Sequence, residues 1–387
     1  VGLDEPVRIL DRHVLTETAI ASGVATGAFV FVMAAGNVLS QVAGAIAAGR
    51  VTPMEGLELV GLLVPGLIPY VLPMGMLTGV LMAFGRMGAQ HELTAMKAGG
   101  LSLLRIAAPA LWLAGGLALF AAWINLEVAT RSNDEYRRIL MGSVKDNPAS
   151  LITPGEINRK FKGLIIQARE RDGAVLRDLW IWRLDAQGRL FETIHTAEGR
   201  LTKVEKADGT AVLRLVALSA QVDTRRPGDE GFKFPSVTKE AGQAPLEFPV
   251  SEVFKDGSGY EKKLRWHTTA ELLALMDKGW QVPPHPTPAE LAEGKMLPRT
   301  QLMSHLASAF SIFSLALLAV PLAVRVGRSE TFVNAAIALA VALSYYILTS
   351  MAAYVKNPSF RPDLLIWLPN VIVVAAAVVL LRRASKH

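Results

Sequence analysis

"FGRMGAQHELTAMKAGGLS", residues 84–102, interrupts two apolar runs with nineteen small, polar and charged groups. Its meaning depends on what surrounds the runs on either side. No charged residue falls in the 27 positions between Glu58 and Arg86, nor in the 21 between Arg105 and Glu127. A helix needs about 20 apolar residues to cross a hydrocarbon core of ~30 Å. Both flanks are therefore candidate membrane spans, and 84–102 is the turn between them. Four more uncharged runs follow the same rule. They lie between Glu17 and Arg50 (32 positions), Arg299 and Arg325 (25), Glu330 and Lys356 (25), and Asp363 and Arg382 (18). That gives six candidate spans, three on each side of a polar middle. A soluble bundle of six buried helices would not keep every run this long and free of charge.

Hydrophobic residues make up 51% of the 387, and they cluster towards the two ends. The absence of cysteine excludes disulfides and thiolate metal sites. The net charge of +6 is read through its placement and not as a nucleic-acid surface. Ten Lys and Arg fall in the short loops of one side, against Arg50, Lys356 and Arg361 on the other. The excess marks the cytoplasmic side. Both termini and residues 84–102 are then expected in the cytoplasm, and the polar middle outside the inner membrane. The first run is too long, and its lead-in (Asp4, Glu5, Asp11) too acidic, for a cleaved signal peptide.

The polar middle reads as β structure. "KGLIIQARE" (162–170) and "VLRDLWIWRL" (175–184) flank Arg171-Asp172-Gly173, a hairpin signal. In the second run Leu176, Trp180, Trp182 and Leu184 are expected on one face. "RLFETIHTAEGRL" (189–201) and "TAVLRLVALSAQVD" (210–223) continue the pattern, which suggests an antiparallel sandwich or jelly roll. "TTAELLALMDKG" (268–279) predicts a helix with a capping box from Thr268 to Glu271. Thr287, Pro288 and Glu290 predict the start of another helix, leading into the fourth span. The expected division is a bundle over 1–126, a β domain with a helical linker over 127–299, and a second bundle over 300–387.

Catalytic signatures do not stand out. Gly294-Lys295-Met296 lacks the hydroxyl a phosphate-binding loop uses to hold magnesium, and no H-E-x-x-H is present. His195 and His267 read as ordinary strand or loop residues. His305, in the fourth span, is either a functional group at membrane depth or a headgroup-level residue. The expectation is a chain with no catalytic site, no metal and no cofactor of its own.

Projected as one helix, 84–102 places Phe84, Met87, His91, Ala95 and Ala98 on one face, with Leu93 and Met96 elsewhere. Apolar groups on two sides, with Glu92 and Lys97 between, suit a protein groove better than a membrane surface. A loop packed on its own spans is the alternative. The first run would make a helix of about 48 Å, longer than a ~30 Å core, so it tilts or projects. Asn37, Ser40 and Gln41 in its outer half serve either a substrate path or hydrogen bonds between helices. Pro65, Pro69 and Pro73 recur every four residues and predict a kinked second span.

"AFGRMGAQHELTAMKAGGLS" (83–102) resembles the segment after the second span in the lipopolysaccharide-export permease family (LptF/LptG, also called the YjgP/YjgQ family). "ILDRHVLTET" (9–18) resembles that family's N-terminal amphipathic segment, with His13 where an aromatic is usual. "VLPMGMLTGVLMAFGRM" (71–87) resembles the end of its second span, including Pro73. "AVPLAVRVGRSETF" (319–332), with Pro321, and "WLPN" (367–370) resemble its fourth span and the start of its sixth. The resemblance covers essentially the whole chain and is closer to the LptF member.

It implies two six-span subunits, each with a periplasmic β-jelly-roll, above a dimer of separate ATPases that bind ATP and magnesium. Residues 84–102 would be the coupling helix, with Met87, His91, Glu92, Leu93 and Met96 at the ATPase groove. The first span would form a lateral gate against the partner's fifth. Asn37, Ser40, Gln41 and Arg50 would lie on the path of lipopolysaccharide, which then passes through the jelly rolls to a periplasmic bridge protein. This chain carries neutral Asn37 and Gln41 where relatives often place basic residues. The competing readings are a sensor or mechanotransmission protein whose β domain binds a periplasmic partner without moving lipid, and a structural scaffold.

Overall fold

The structure is a computed structural model of the 387-residue chain. It describes residues 4–47, 51–146, 149, 152–159, 163–185, 188–205, 211–224, 237–249, 264–282, 286–326, 331–355 and 357–384, some by backbone alone. Among the described residues seven α-helices precede the sheet: α1 (Asp4–Met33), α2 (Leu39–Ala47), α3 (Pro53–Leu63), α4 (Ile68–Ala89), α5 (Glu92–Ala98), α6 (Leu103–Trp123) and α7 (Ala129–Asp146). Five strands follow: β1 (Leu164–Asp172), β2 (Val175–Leu184), β3 (Leu190–Glu205), β4 (Ala211–Thr224) and β5 (Val237–Pro249). The chain closes with α8 (Thr269–Lys278), α9 (Pro288–Val326), α10 (Thr331–Tyr354), α11 (Pro362–Leu365) and α12 (Leu368–Ala384).

Among the described residues, six helical segments are long and apolar enough to cross a membrane: Ile9–Gly36, Pro53–Ala89, Leu103–Tyr136, Pro288–Val324, Ala336–Tyr354 and Pro362–Arg383. Each expected uncharged run overlaps one of them. The fold class is thus an α-helical membrane protein, three spans and three, with an inserted antiparallel β domain. By compactness the chain divides into a helical unit (1–39, 61–134, 263–387) and a second unit (40–60, 135–262). Helix continues through residues 126 and 299, since a π-helical turn over Ile124–Val128 joins α6 to α7 and α9 begins at Pro288.

The fourth span is the hub of the helical unit. Its most apolar window is 72% buried, against 11–28% for the other five. Small residues let backbones approach where lipid supplies no hydrophobic drive. Ala107, Ala110 and Ala114 of α6, Ala316, Ala319 and Ala323 of α9 and Ala377 of α12 all lie in one buried cluster with Leu77, Leu81 and Phe84 of α4. Gly75 and Gly79 of α4 meet α1 at Thr26 and Ser22. The expected kink series needs correction. Pro65 lies in a short 3-10 turn over Val64–Leu67, and Pro69 in the first turn of α4. Both occupy helix starts, where the missing N–H costs nothing, so they mark a break between α3 and α4. Only Pro73 sits inside α4, as Pro321 does inside α9.

The second unit carries one antiparallel meander in the order β1-β2-β3-β4-β5. A second sheet, as a jelly roll would have, is not among the described residues. Gly173 (φ +58°) makes the two-residue turn between Asp172 and Val175. Apart from a register shift between β2 and β3 at Arg183/Leu184, the strands keep register but change phase along one line. The inward face passes from Ala168 to the half-buried Arg171 in β1, from Leu179 to Leu176 in β2, from Thr196 to Gly199 in β3 and from Ala217 to Ala220 in β4. Asp178 (φ +49°) and Ser219 (φ +50°) turn the backbone there. Leu179 lies over Gly199, where a Cβ would sit 2.5 Å from its Cδ2. This corrects the expected face of β2: Leu176 is buried with Leu179 and Ile181, while Trp180 and Trp182 stack on the opposite side.

Candidate functional site

Residues 84–102 fold into a compact turn and not one helix. α4 ends as Gln90 N–H donates to the Arg86 carbonyl (3.0 Å), and His91 takes a left-handed conformation (φ +60°) that redirects the chain. α5 then runs seven residues. Gly100 (φ +87°) closes it: its N–H donates to the Lys97 carbonyl (2.9 Å), and Leu101 N–H to that of Met96 (3.2 Å). That is the Schellman pattern, which favours glycine because only it enters the left-handed region without penalty. Ser102 caps α6, its hydroxyl accepting from Arg105 N–H (3.3 Å).

The break at His91 dissolves the single projected face. Met87 is 0% exposed and Leu93 4%, both in the apolar cluster of the chain's own bundle. This corrects their expected place at an ATPase groove, since neither reaches the surface. Met96 is half-buried against the same cluster. His91, Thr94, Ala95 and Ala98 are exposed, with Glu92 at their edge.

Charged groups missed by the sequence reading surround this turn. His13 Nε2 lies 3.2 Å from Glu92 Oε2. Arg105 donates through both terminal nitrogens to Asp11, at 2.8 and 2.9 Å. Arg86 pairs with Glu17. The one available signal was acids on α1 ahead of a span and bases around 84–105; which acid meets which base depends on tertiary structure.

Deeper in the bundle, polar side chains meet each other. Asn370 of α12 is buried; its Nδ2 donates to the Ala307 carbonyl (2.9 Å), and its Oδ1 accepts from Ser314 (2.9 Å) and Tyr345 (3.3 Å). Asn125 donates to Ser308 Oγ (3.2 Å). His305 lies 3.2 Å from Gln301. Asp363 is buried between Arg299 (3.0 Å) and Arg361 (3.3 Å).

The expected substrate-path residues are less defined. Asn37 lies in a π-helical turn (Ala34–Val38) just past the first span, and Ser40 and Gln41 lie on α2, with Ser40 exposed. The side chains of Asn37 and Gln41, and all of Arg50, lie outside the described residues. In the β unit His195 stacks on Trp180 (4.0 Å between ring centroids) and bonds Asp178 (3.0 Å). The His195 bond, and then the Arg169 charge, hold the Asp178 carboxyl below its ordinary range against the opposing effect of desolvation.

Six spans with a short folded-back helix between the second and third, and a β meander between the third and fourth, define a multi-pass membrane protein. The family model described as "Lipopolysaccharide export system permease LptF/LptG" matches residues 12–383. The chain belongs to this family. It is similar to the lipopolysaccharide export system permease protein LptF of Escherichia coli (strain K12), 24% identical over 348 residues, 88% of this chain and 86% of that protein. The LptF of Shigella flexneri matches with the same identity and coverage.

Proposed function

We propose that the chain is a transmembrane subunit of an ATP-driven lipopolysaccharide exporter in the bacterial inner membrane. It pairs with a second six-span subunit. A dimeric ABC ATPase, which carries the ATP and magnesium, docks on the cytoplasmic turn built around α5. The first span opens a lateral gate, and lipid passes by way of the periplasmic β domain to a bridge protein. Both termini are cytoplasmic.

Beyond family membership, one observation carries this reading. α5 stands between two backbone reversals with Leu93 anchored inward and His91, Glu92, Thr94, Ala95 and Ala98 outward. A helix held this way presents a small, smooth ridge that fits a partner's groove.

Glu92→Lys tests it. A reversed charge at a contact leaves like charges facing, and truncating a buried hydrogen-bonded charge pair costs about 2–5 kcal/mol. ATPase co-purification and ATP-dependent release of lipopolysaccharide from vesicles should both fall. Met96→Asp is a poorer probe, because Met96 packs on the bundle and the change would loosen the turn itself. Single cysteines at Thr94, in a chain with none of its own, should label only from the cytoplasm. Labelling from the periplasm, or normal docking and release in Glu92→Lys, would overturn the reading. A complex that docks the ATPase but never moves lipid would favour the sensor alternative.

A further inference from the structure

Two ion pairs and one imidazole–carboxylate contact join α1 to the turn, each to a different helix. Glu17 meets Arg86 of α4, His13 meets Glu92 of α5, and Asp11 meets Arg105 of α6. Between Asp11 and Glu17 α1 presents Val14, 0% exposed. Val14 lies in one apolar cluster with Phe84, Met87, Leu93 and Leu103. The contact therefore has a greasy centre and an ionic rim.

The arrangement bears on a mechanical weakness of α5. One end hangs on a left-handed His91 and the other on Gly99-Gly100. Left to its covalent links alone, a seven-residue helix on two such joints rocks against its neighbours. Exposed ion pairs each contribute about 0–1 kcal/mol, so no single pair is needed to hold the bundle. Three contacts on three helices do something else: one holds α5 itself and the other two hold the helix ends on either side of it, so together they fix how the turn sits against α1.

We propose that Asp11, His13 and Glu17 are positioning residues. They brace α5 across both of its joints to α1, so that a push on the outward face of α5 moves the first span directly. The proposal rests on the reading of α5 as the element that meets the ATPase. It gives the sparse charges on α1 a task, and it makes the first span the receiver of the stroke.

The test uses the full complex in lipopolysaccharide-containing vesicles, with Asp11→Arg, Arg105→Asp and the double exchange. Each single variant should keep ATP hydrolysis but release about fivefold less lipid per ATP, the size of a coupling near 1 kcal/mol. The double exchange should restore the native ratio. A purely structural role would instead lower hydrolysis and release together, with the ratio unchanged. Singles with a native ratio, or a double exchange as poor as the singles, overturn the proposal. A second measurement needs no ATP. Spin labels at Leu15 and Thr94 in the detergent-solubilised chain should give one narrow distance in the native sequence and a broad one in Asp11→Arg/Glu17→Arg. A native width in that variant overturns the brace. If the native complex shows no ATP-driven release, the exporter reading fails, and the label distances still decide the brace.

Discussion

Gly79→Ala probes a close contact between α4 and α1. A Cβ built at Gly79 falls under 3.0 Å from both the backbone N and the Cα of Ser22. At Gly75 it falls 2.9 Å from the Cα of Thr26. Ordinary contact begins at 3.4 Å. Backbone atoms do not rotate out of the way, so relief requires the whole of α1 to shift by a sizeable fraction of an ångström. Overpacking of this kind costs about 1–3 kcal/mol. Gly79→Ala should sit near the middle of that range, about 2 kcal/mol, because two backbone atoms are struck. Gly75→Ala should cost less, since the one backbone atom it meets, the Thr26 Cα, lies farther off, at 2.9 Å, than either Ser22 backbone atom does at Gly79. The matched controls are Gly23→Ala and Gly27→Ala on the open side of α1, where nothing lies within 4 Å. There the gain in helix preference, about 0.5–1 kcal/mol, should dominate. The assay is thermal unfolding of the purified chain in detergent, so that no partner covers the open side. If Gly79→Ala melts with the native chain, or no earlier than Gly23→Ala, α1 and α4 do not touch as described.

Four further outcomes follow from named contacts. Asn370→Leu should destabilise the bundle by about 1–2 kcal/mol by removing the partner of the Ala307 carbonyl and one partner each of Ser314 and Tyr345, whereas Ser314→Ala should cost less; thermal unfolding ranks them. Replacing Arg299 and Arg361 together by alanine should cost about 3–5 kcal/mol by stranding the buried Asp363 carboxylate, and each single change much less, checked by denaturation midpoint. His91→Gly should relieve about 1 kcal/mol of left-handed strain and His91→Val add to it, again read by melting temperature. Asp178 has a folded-state pKa below its unfolded value, so its pairing stabilises the β unit above the unfolded pKa and is lost as pH falls through the folded one. The stability gap between native and Asp178→Asn protein should therefore close on acidification below pH about 4, and a gap unchanged at lower pH would remove the assignment.

Spans, capping boxes and strands were legible because each is written in local sequence. The capping box of α8, with Thr268 accepting from Glu271 N–H and the Glu271 carboxylate accepting from Thr268 N–H, needs residues three apart and nothing else. The same holds for Thr287 and Glu290 at the start of α9. The turn at 84–102 was visible as an interruption, but not its shape. A histidine in the left-handed region leaves no mark in hydrophobic period, and without it one helix of nineteen residues is the natural projection. The face of β2 failed for a similar reason. Alternation assumes a constant pleat, and Asp178 resets the phase through its own backbone angle. The pairs Asp11–Arg105, His13–Glu92 and Asn370–Tyr345 belong to a harder class. Their members lie 94, 79 and 25 residues apart, and nothing local says that they meet.

Glu92 shows how the two levels combine. From sequence it was an acid in a groove-seeking helix; in the structure it faces His13 of α1 at 3.2 Å, and in the proposed brace it is one arm. Under the proposed reading these roles do not compete. A carboxylate offers about four lone-pair sites, and His13 approaches only Oε2. The carboxyl is 35% exposed, so a cation on a docking partner meets a group already oriented by its neighbour. Orientation in advance removes the ordering cost that a free glutamate would bring to the contact. An aromatic at position 13 could pack beside the turn but could not hold this carboxylate as an imidazole does. In this chain His13 thereby ties the acid on α5 to the first span, the element proposed to open for the lipid.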